Sequence, residues 1–253
     1  MIVAILTRHT DNPYAAAVLR AINAQGIRGI HVVAASWNAG PRSLASLVRT
    51  HGARLPWVGA TWLAKRLIRP LDGNVRHSST TTGLAADVER QGGRFVLVGD
   101  ANGEECPKTL TDLGVDILVL AGAPIVGGKI LAVPRVGTLN AHQGALPSYR
   151  GVNVIEWAIF EGGTPTVTVH FVDAGVDTGD IVAREEIPVS PGDTLATIRA
   201  KAAVRQVELL ASIVTTARSG PLPRVSQRAI DGRQYYVMHP RLRAIAERRL
   251  AAR

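Results

Sequence analysis

The chain has 253 residues, 46% of them hydrophobic, which is enough for one α/β core with a small appendage. Its single cysteine, Cys106, excludes an internal disulfide framework and a cysteine-rich zinc site. With no run of eighteen apolar residues, no transmembrane helix is expected. The formal net charge of +9 reads either as a solvated surface or as an attraction for an anionic ligand. The opening MIVAILTRHT lacks a basic region and a cleavage site, so it reads as a strand and not as a signal peptide, and a cytoplasmic location is the default.

Residues 2–6 are a short apolar run and predict a buried parallel strand. A polar loop follows over 7–12. Helical spacing of Ala15, Val18, Leu19 and Ile22 over 14–23, closed by Gly26, leads to a second strand over 30–34. A right-handed crossover makes the two strands parallel. The turn between them lacks G-x-G-x-x-G, so a dinucleotide fingerprint is absent. Residues 36–76 carry Trp37, Trp57 and Trp62 beside Lys65, Arg66 and Arg69 in two amphipathic stretches. They read as packing on their own domain, with a membrane surface, a substrate lid or a dimer contact as other uses.

Helices are predicted over 82–91 and 106–113, and strands over 94–99 and 116–120. Cys106 reads as an incidental loop thiol with no cation beside it. Gly122 to Gly128-Lys129 approaches a phosphate loop in composition, but the glycines are one residue too far apart. Ile130 also stands where Ser or Thr must bind magnesium, so that reading is rejected. Further on, residues 152–160 predict a helix with Trp157 in the core. Residues 166–171 predict an alternating strand with a structural His170, and 181–189 a further strand. Asp193 is expected to cap a long helix over 194–216, and a basic helix with Arg241, Arg243, Arg248 and Arg249 ends the chain.

The stretch 137–181 concentrates the chemistry. Asn140 and His142 are two apart at a strand end, so both side chains project to one face, at the carboxyl end where open α/β sheets place ligands. A Pro-Ser-Tyr-Arg-Gly turn follows over Pro147–Gly151, then a loop with Asp173, Asp177 and Asp180 bent at Gly175 and Gly179. If the flanking strands are neighbours, an amide donor, an imidazole and a carboxylate converge. The amide can hold a developing oxyanion, and the other two can move a proton. On spacing alone a turn or a satisfied polar pair is the commoner meaning of such residues.

These residues resemble the formyltransferase family that uses 10-formyltetrahydrofolate, which includes methionyl-tRNA, glycinamide ribonucleotide and sugar N-formyltransferases. The resemblance rests on Asn140-Ala141-His142, on Leu146-Pro147-Ser148-Tyr149-Arg150-Gly151 and on Asp177-Thr178-Gly179, with the preceding DILVLAGAPIVGGKIL. It covers residues 116–193 well and the ends loosely. It departs at His142-Gln143-Gly144-Ala145-Leu146-Pro147, where family members often read His-x-Ser-Leu-Leu-Pro.

The resemblance implies an α/β fold: a Rossmann-like, mostly parallel twisted sheet with helices on both faces and a short C-terminal helical and basic extension. The expected division is a catalytic domain over 1–193 and a helix with a basic tail over 194–253. It implies Asn140, His142 and Asp177 as catalytic residues and no metal. Ala121, Gly122, Ala123, Pro124 and Ile125, with the loop Val172, Asp173, Ala174, Gly175 and Val176, would hold the folate. Thr7, His9, Asn12, Tyr149 and Arg150 are candidate substrate contacts. The acceptor is expected to be a small-molecule primary amine, first a nucleotide-linked amino sugar, then a hydroxyornithine or amino-acid type, then methionyl-tRNA. The tRNA enzymes carry a C-terminal β-barrel where only about sixty residues follow Asp193 here, so nucleic acid is ranked last. Glycinamide ribonucleotide is disfavoured because TRHTDNPY replaces that enzyme's Gly-rich first loop. Formyl-folate hydrolysis, or folate or nucleotide binding without turnover, are the remaining readings.

Overall fold

The first strand, β1 (Val3–Thr7), is buried along its whole length. Its side chains alternate between faces, so Val3 and Ile5 enter one hydrophobic core while Ala4 and Leu6 enter another. This computed structural model describes residues 1–35 and 83–253. In chain order β1 is followed by α1 (Pro13–Ala24), β2 (His31–Ala35), α2 (Leu84–Arg90) and β3 (Phe95–Val98). Then come α3 (Glu105–Asp112), β4 (Ile117–Leu120), α4 (Gly128–Leu131), β5 (Gly137–His142) and β6 (Tyr149–Gly151). The rest is α5 (Val154–Glu161), β7 (Thr166–Phe171), β8 (Ile181–Glu186), α6 (Leu195–Thr216), a 3-10 turn (Ala229–Asp231), β9 (Arg233–Tyr235) and α7 (Pro240–Ala251).

Seven strands form one sheet in the order β3-β2-β1-β4-β5-β7-β8. The strands from β3 to β5 are parallel, β7 runs antiparallel to β5, and β8 antiparallel to β7. The larger core gathers α1, α2, α5 and α6 on one face, with Ile155, Ile198 and Leu210 among its members. The smaller core gathers Cys106 and Leu110 of α3 and Ile130 of α4 on the other. The expected mostly parallel sheet with helices on both faces is thus present. The described residues cluster as one compact unit, so the boundary expected after residue 193 falls inside it: α6 supplies core and is no appendage.

Other expectations change. Cys106 is a fully buried helix residue, not a loop thiol. Burial, followed by the neighbouring Asp100 and Glu105 carboxylates, pushes its pKa up to about 11, which keeps it an inert thiol. The cap of α6 is Thr194, whose hydroxyl accepts from Thr197 N in a reciprocal capping box. Asp193 sits one residue earlier and pairs with Lys201 at 2.6 Å. Trp157 is only half-buried: it tilts against Tyr235, 5.3 Å between ring centres, and its indole N–H donates to Tyr236 O. The strand expected over 181–189 stops at Glu186. The end of the Pro147–Gly151 turn becomes β6, which pairs in parallel with β9 from the tail. The readings placed on Trp37, Trp57, Trp62, Lys65, Arg66 and Arg69 lie outside the described residues. Among the described residues no helix is long and apolar enough to cross a membrane.

Candidate active site

The antiparallel register of β5 and β7 builds the centre of the site. Asn140 faces His170, and His142 faces Thr168. Facing residues of an antiparallel pair share a face of the sheet. Leu139, Ala141, Val167 and Val169 all enter the larger core, so Asn140, His142, Thr168 and His170 take the opposite side. The loop after β7 then folds back and brings Asp177 over them. Asp177 Oδ2 lies 3.5 Å from His142 Nδ1, and its Oδ1 lies 3.6 Å from His170 Nε2. Gly151 N donates to the carboxylate at 2.8 Å. Gly151 has φ 99 and packs on the Tyr235 backbone, a position that only a residue without Cβ fills easily.

Carbonyl partners assign the imidazole protons. His142 Nε2 is 2.8 Å from Tyr149 O, and His170 Nδ1 is 2.7 Å from Phe171 O. A carbonyl oxygen only accepts, so those nitrogens carry hydrogen. In the neutral rings Nδ1 of His142 and Nε2 of His170 are then bare, and both face the same carboxylate. Their separations exceed a direct hydrogen bond. The two imidazoles and the carboxylate therefore face one another across a narrow gap. Asn140 Nδ2, 3.3 Å from His170 Nε2, donates one hydrogen to it and keeps the other for a ligand oxygen. His170 is 2% exposed. Burial lowers its pKa, against the opposing pull of Asp177, which favours the neutral ring that Asn140 requires.

A cleft of about 280 Å³ opens above these groups. Its walls are Gly122, Ala123, Pro124 and Ile125 on one side and Val172, Asp173, Ala174, Gly175 and Val176 on the other, with Leu120 and Val126 below and Asn140, His170 and Asp177 at the end. Nine of the ten residues assigned to folate thus line one cleft; Ala121 lies buried beneath, its carbonyl accepting from Asn12. Small residues and apolar walls suit a flat ring, and Asp173 adds an acceptor. The cleft fits a pteridine. A second cleft of about 380 Å³ is lined by His142, Gln143, Glu156, Arg199 and Gln206. Gln206 also donates to Ala141 O, between Asn140 and His142, and accepts from Gln143.

The candidate substrate contacts are placed differently. Thr7 is buried at the end of β1 and accepts from Asn12 Nδ2 at 2.8 Å. Asn12 Oδ1 caps α1 by accepting from Tyr14 N and Ala15 N, so its carboxamide is committed to the fold. His9 is exposed in the loop after β1. Tyr149 stacks on Tyr235, and Arg150 is buried with Nη2 donating to Gly232 O. None of these five lines either cleft. His170, read from sequence as structural, joins the site instead. Its signal was the buried polar face Thr166, Thr168 and His170 at a spacing of two. Among the described residues no cluster of His, Cys, Asp or Glu could hold a metal ion.

Residues 98–214 match the Formyl transferase family. A methionyl-tRNA formyltransferase of Pelotomaculum thermopropionicum is 36% identical over 115 residues, 45% of this chain and 37% of that protein. One from Halothermothrix orenii is 33% identical over 153 residues, 60% of this chain and 48% of that protein. The chain therefore spans about half the length, or less, of these curated relatives. A sugar N-formyltransferase from a Shewanella species shares the fold with a TM-score of 0.60, at 14% identity, over 99% of this chain and 87% of that one.

Proposed function

From the premise that residues 98–214 form a formyl transferase segment, we propose that the protein moves a formyl group from 10-formyltetrahydrofolate to a primary amine. The observation that carries this is the convergence of Asn140, His170 and Asp177 on the pteridine-shaped cleft, with His142 beside Asp177 on its other side. The bound folate supplies the activated formyl group. Asn140 Nδ2 donates to the formyl oxygen as it gains charge, a preorganised contact that strengthens in the transition state. An alkylammonium is not nucleophilic, so it must lose a proton first. Asp177, with the bare Nδ1 of His142 beside it, would receive that proton, and a proton would pass to N10 of the folate as its bond to the formyl carbon breaks. His142, which borders the second cleft, orients the amine arriving from that side.

The acceptor is read as an amine on a nucleotide-linked sugar, because nearly the whole chain follows the fold of a sugar N-formyltransferase. Methionyl-tRNA is the second reading, favoured by the names of the sequence relatives. The test is tetrahydrofolate release from 10-formyltetrahydrofolate across nucleotide-linked amino sugars, free amino acids and methionyl-tRNA. Release with one nucleotide sugar supports the proposal. Release only with methionyl-tRNA moves it to the second reading, and release with water alone makes the protein a hydrolase.

A further inference from the structure

The loop that carries Asp177 is held by residues far along the chain. Residues 224–227 run beside the start of β8. Val225 and Ile181 exchange both backbone hydrogen bonds at 2.9 Å. Arg224 lies over the Phe171 ring, 3.5 Å from its centre, and reaches Asp180 at 3.6 Å. Ser226 Oγ donates to Asp180 at 3.1 Å. Gln227 reaches further in: its Nε2 donates to the carbonyl oxygens of Asp177 at 3.1 Å and of Gly179 at 2.6 Å. Its Oε1 is buried with no partner among the described residues, so the two donated bonds orient the amide there.

The backbone of Asp177 needs such a hold. Its φ is 54, in the left-handed region that costs any residue with a Cβ, Asp less than most. A return to the right-handed region would swing the carboxylate away from His142 and His170. Gly151 N restrains the carboxylate end, and Gln227 restrains the peptide end. The neighbouring Gly179 adds to the constraint, since a side chain there would run into the Phe171 carbonyl. Gln227 lies beyond residue 214, outside the matched segment.

We propose that Gln227 is a positioning residue, which fixes the Asp177 peptide so that its carboxylate stays between the two imidazoles. The proposal rests on the catalytic reading of Asp177 above. Gln227 touches neither cleft, so its effect reaches the reaction through Asp177 alone.

The test compares Gln227→Ala and Gln227→Glu with wild type, and uses Arg228→Ala, an exposed neighbour paired with Asp231, as the control. Each is read by kcat, by KM for the formyl donor, by Tm, and by the NMR titration of the His170 ring. Both Gln227 variants are expected to lose about ten- to a hundred-fold in kcat, with KM for the donor and Tm nearly unchanged. His170 should titrate at lower pH in Gln227→Ala, because the Asp177 charge that opposes burial has moved away. Arg228→Ala should match wild type in all four. An unchanged kcat, a kcat loss that tracks a loss of Tm, or an unmoved His170 titration in an active enzyme overturns the proposal. If the wild-type chain transfers no formyl group, the catalytic reading has failed, and the His170 titration still decides whether Gln227 places Asp177.

Discussion

Asp177 holds a left-handed backbone with φ 54, at a cost of about 1–3 kcal/mol, and sets its carboxylate between two imidazoles that each present a bare nitrogen. Asn140→Ala removes the proposed donor to the formyl oxygen. Its kcat is expected to fall about 10²–10³-fold, corresponding to about 2.7–4 kcal/mol, in steady-state formyl transfer. His170 gives a different readout. Burial lowers its pKa against the pull of Asp177, so the unfolded chain binds that proton more readily than the folded one. Neutral His170 thus contributes stability that is complete above its unfolded value of about 6.5 and is lost as pH falls toward the lower folded value. His170→Gln should make the fall in Tm between about pH 7 and pH 5 shallower than in wild type. Asn140 and His142 were legible because one strand carries both. Asp177 was legible from its Gly-bounded loop and the resemblance. His170 was not, because its partnership with Asn140 depends on a cross-strand register that local spacing does not encode.

Among the elements, those with one apolar face were the most legible: β1, α1, β4 and β7 lie within a residue or two of their expected bounds. The misses share a cause, which is that long-range partners took residues with strong local signals. Asn12 looked like a free loop amide, yet it caps α1 and ties Thr7 to Ala121. Tyr149 and Arg150 looked like exposed punctuation, yet β9 returns from more than eighty residues on to pair with them. At α6 two adjacent residues competed for one cap. Thr194 won because its hydroxyl reaches Thr197 N while Asp193 turns to Lys201. Thr194→Ala should cost about 1 kcal/mol, seen as a fall in Tm of about 2–4 °C, with kcat preserved.

On the scale of the molecule, the sheet order places the carboxyl ends of β4 and β5 side by side, and the donor cleft forms where their loops meet the loop after β7. Sequence alone reads the basic tail as part of an extension packed on the catalytic domain. Its structural contribution lies in contacts that composition cannot show: Ala246 and Leu250 enter the main core, and Gln227 reaches the Asp177 loop. A ligand that binds only the folded state stabilises it by mass action, about 2.7 kcal/mol at a hundred times its Kd. A folate analogue should therefore raise Tm, and His142→Ala, which does not line the donor cleft, should keep that rise while losing turnover.

The two rims of that cleft carry Ile125, 87% exposed, and Val176, 42% exposed. Apolar side chains held against water order the solvent around them, and a flat ring laid between these two would release it. Calorimetry of folate-analogue binding at several temperatures should then give an enthalpy that grows more negative on warming, a negative heat-capacity change. Replacing both rim residues by Ser should shrink that slope more than it shrinks the enthalpy at any one temperature.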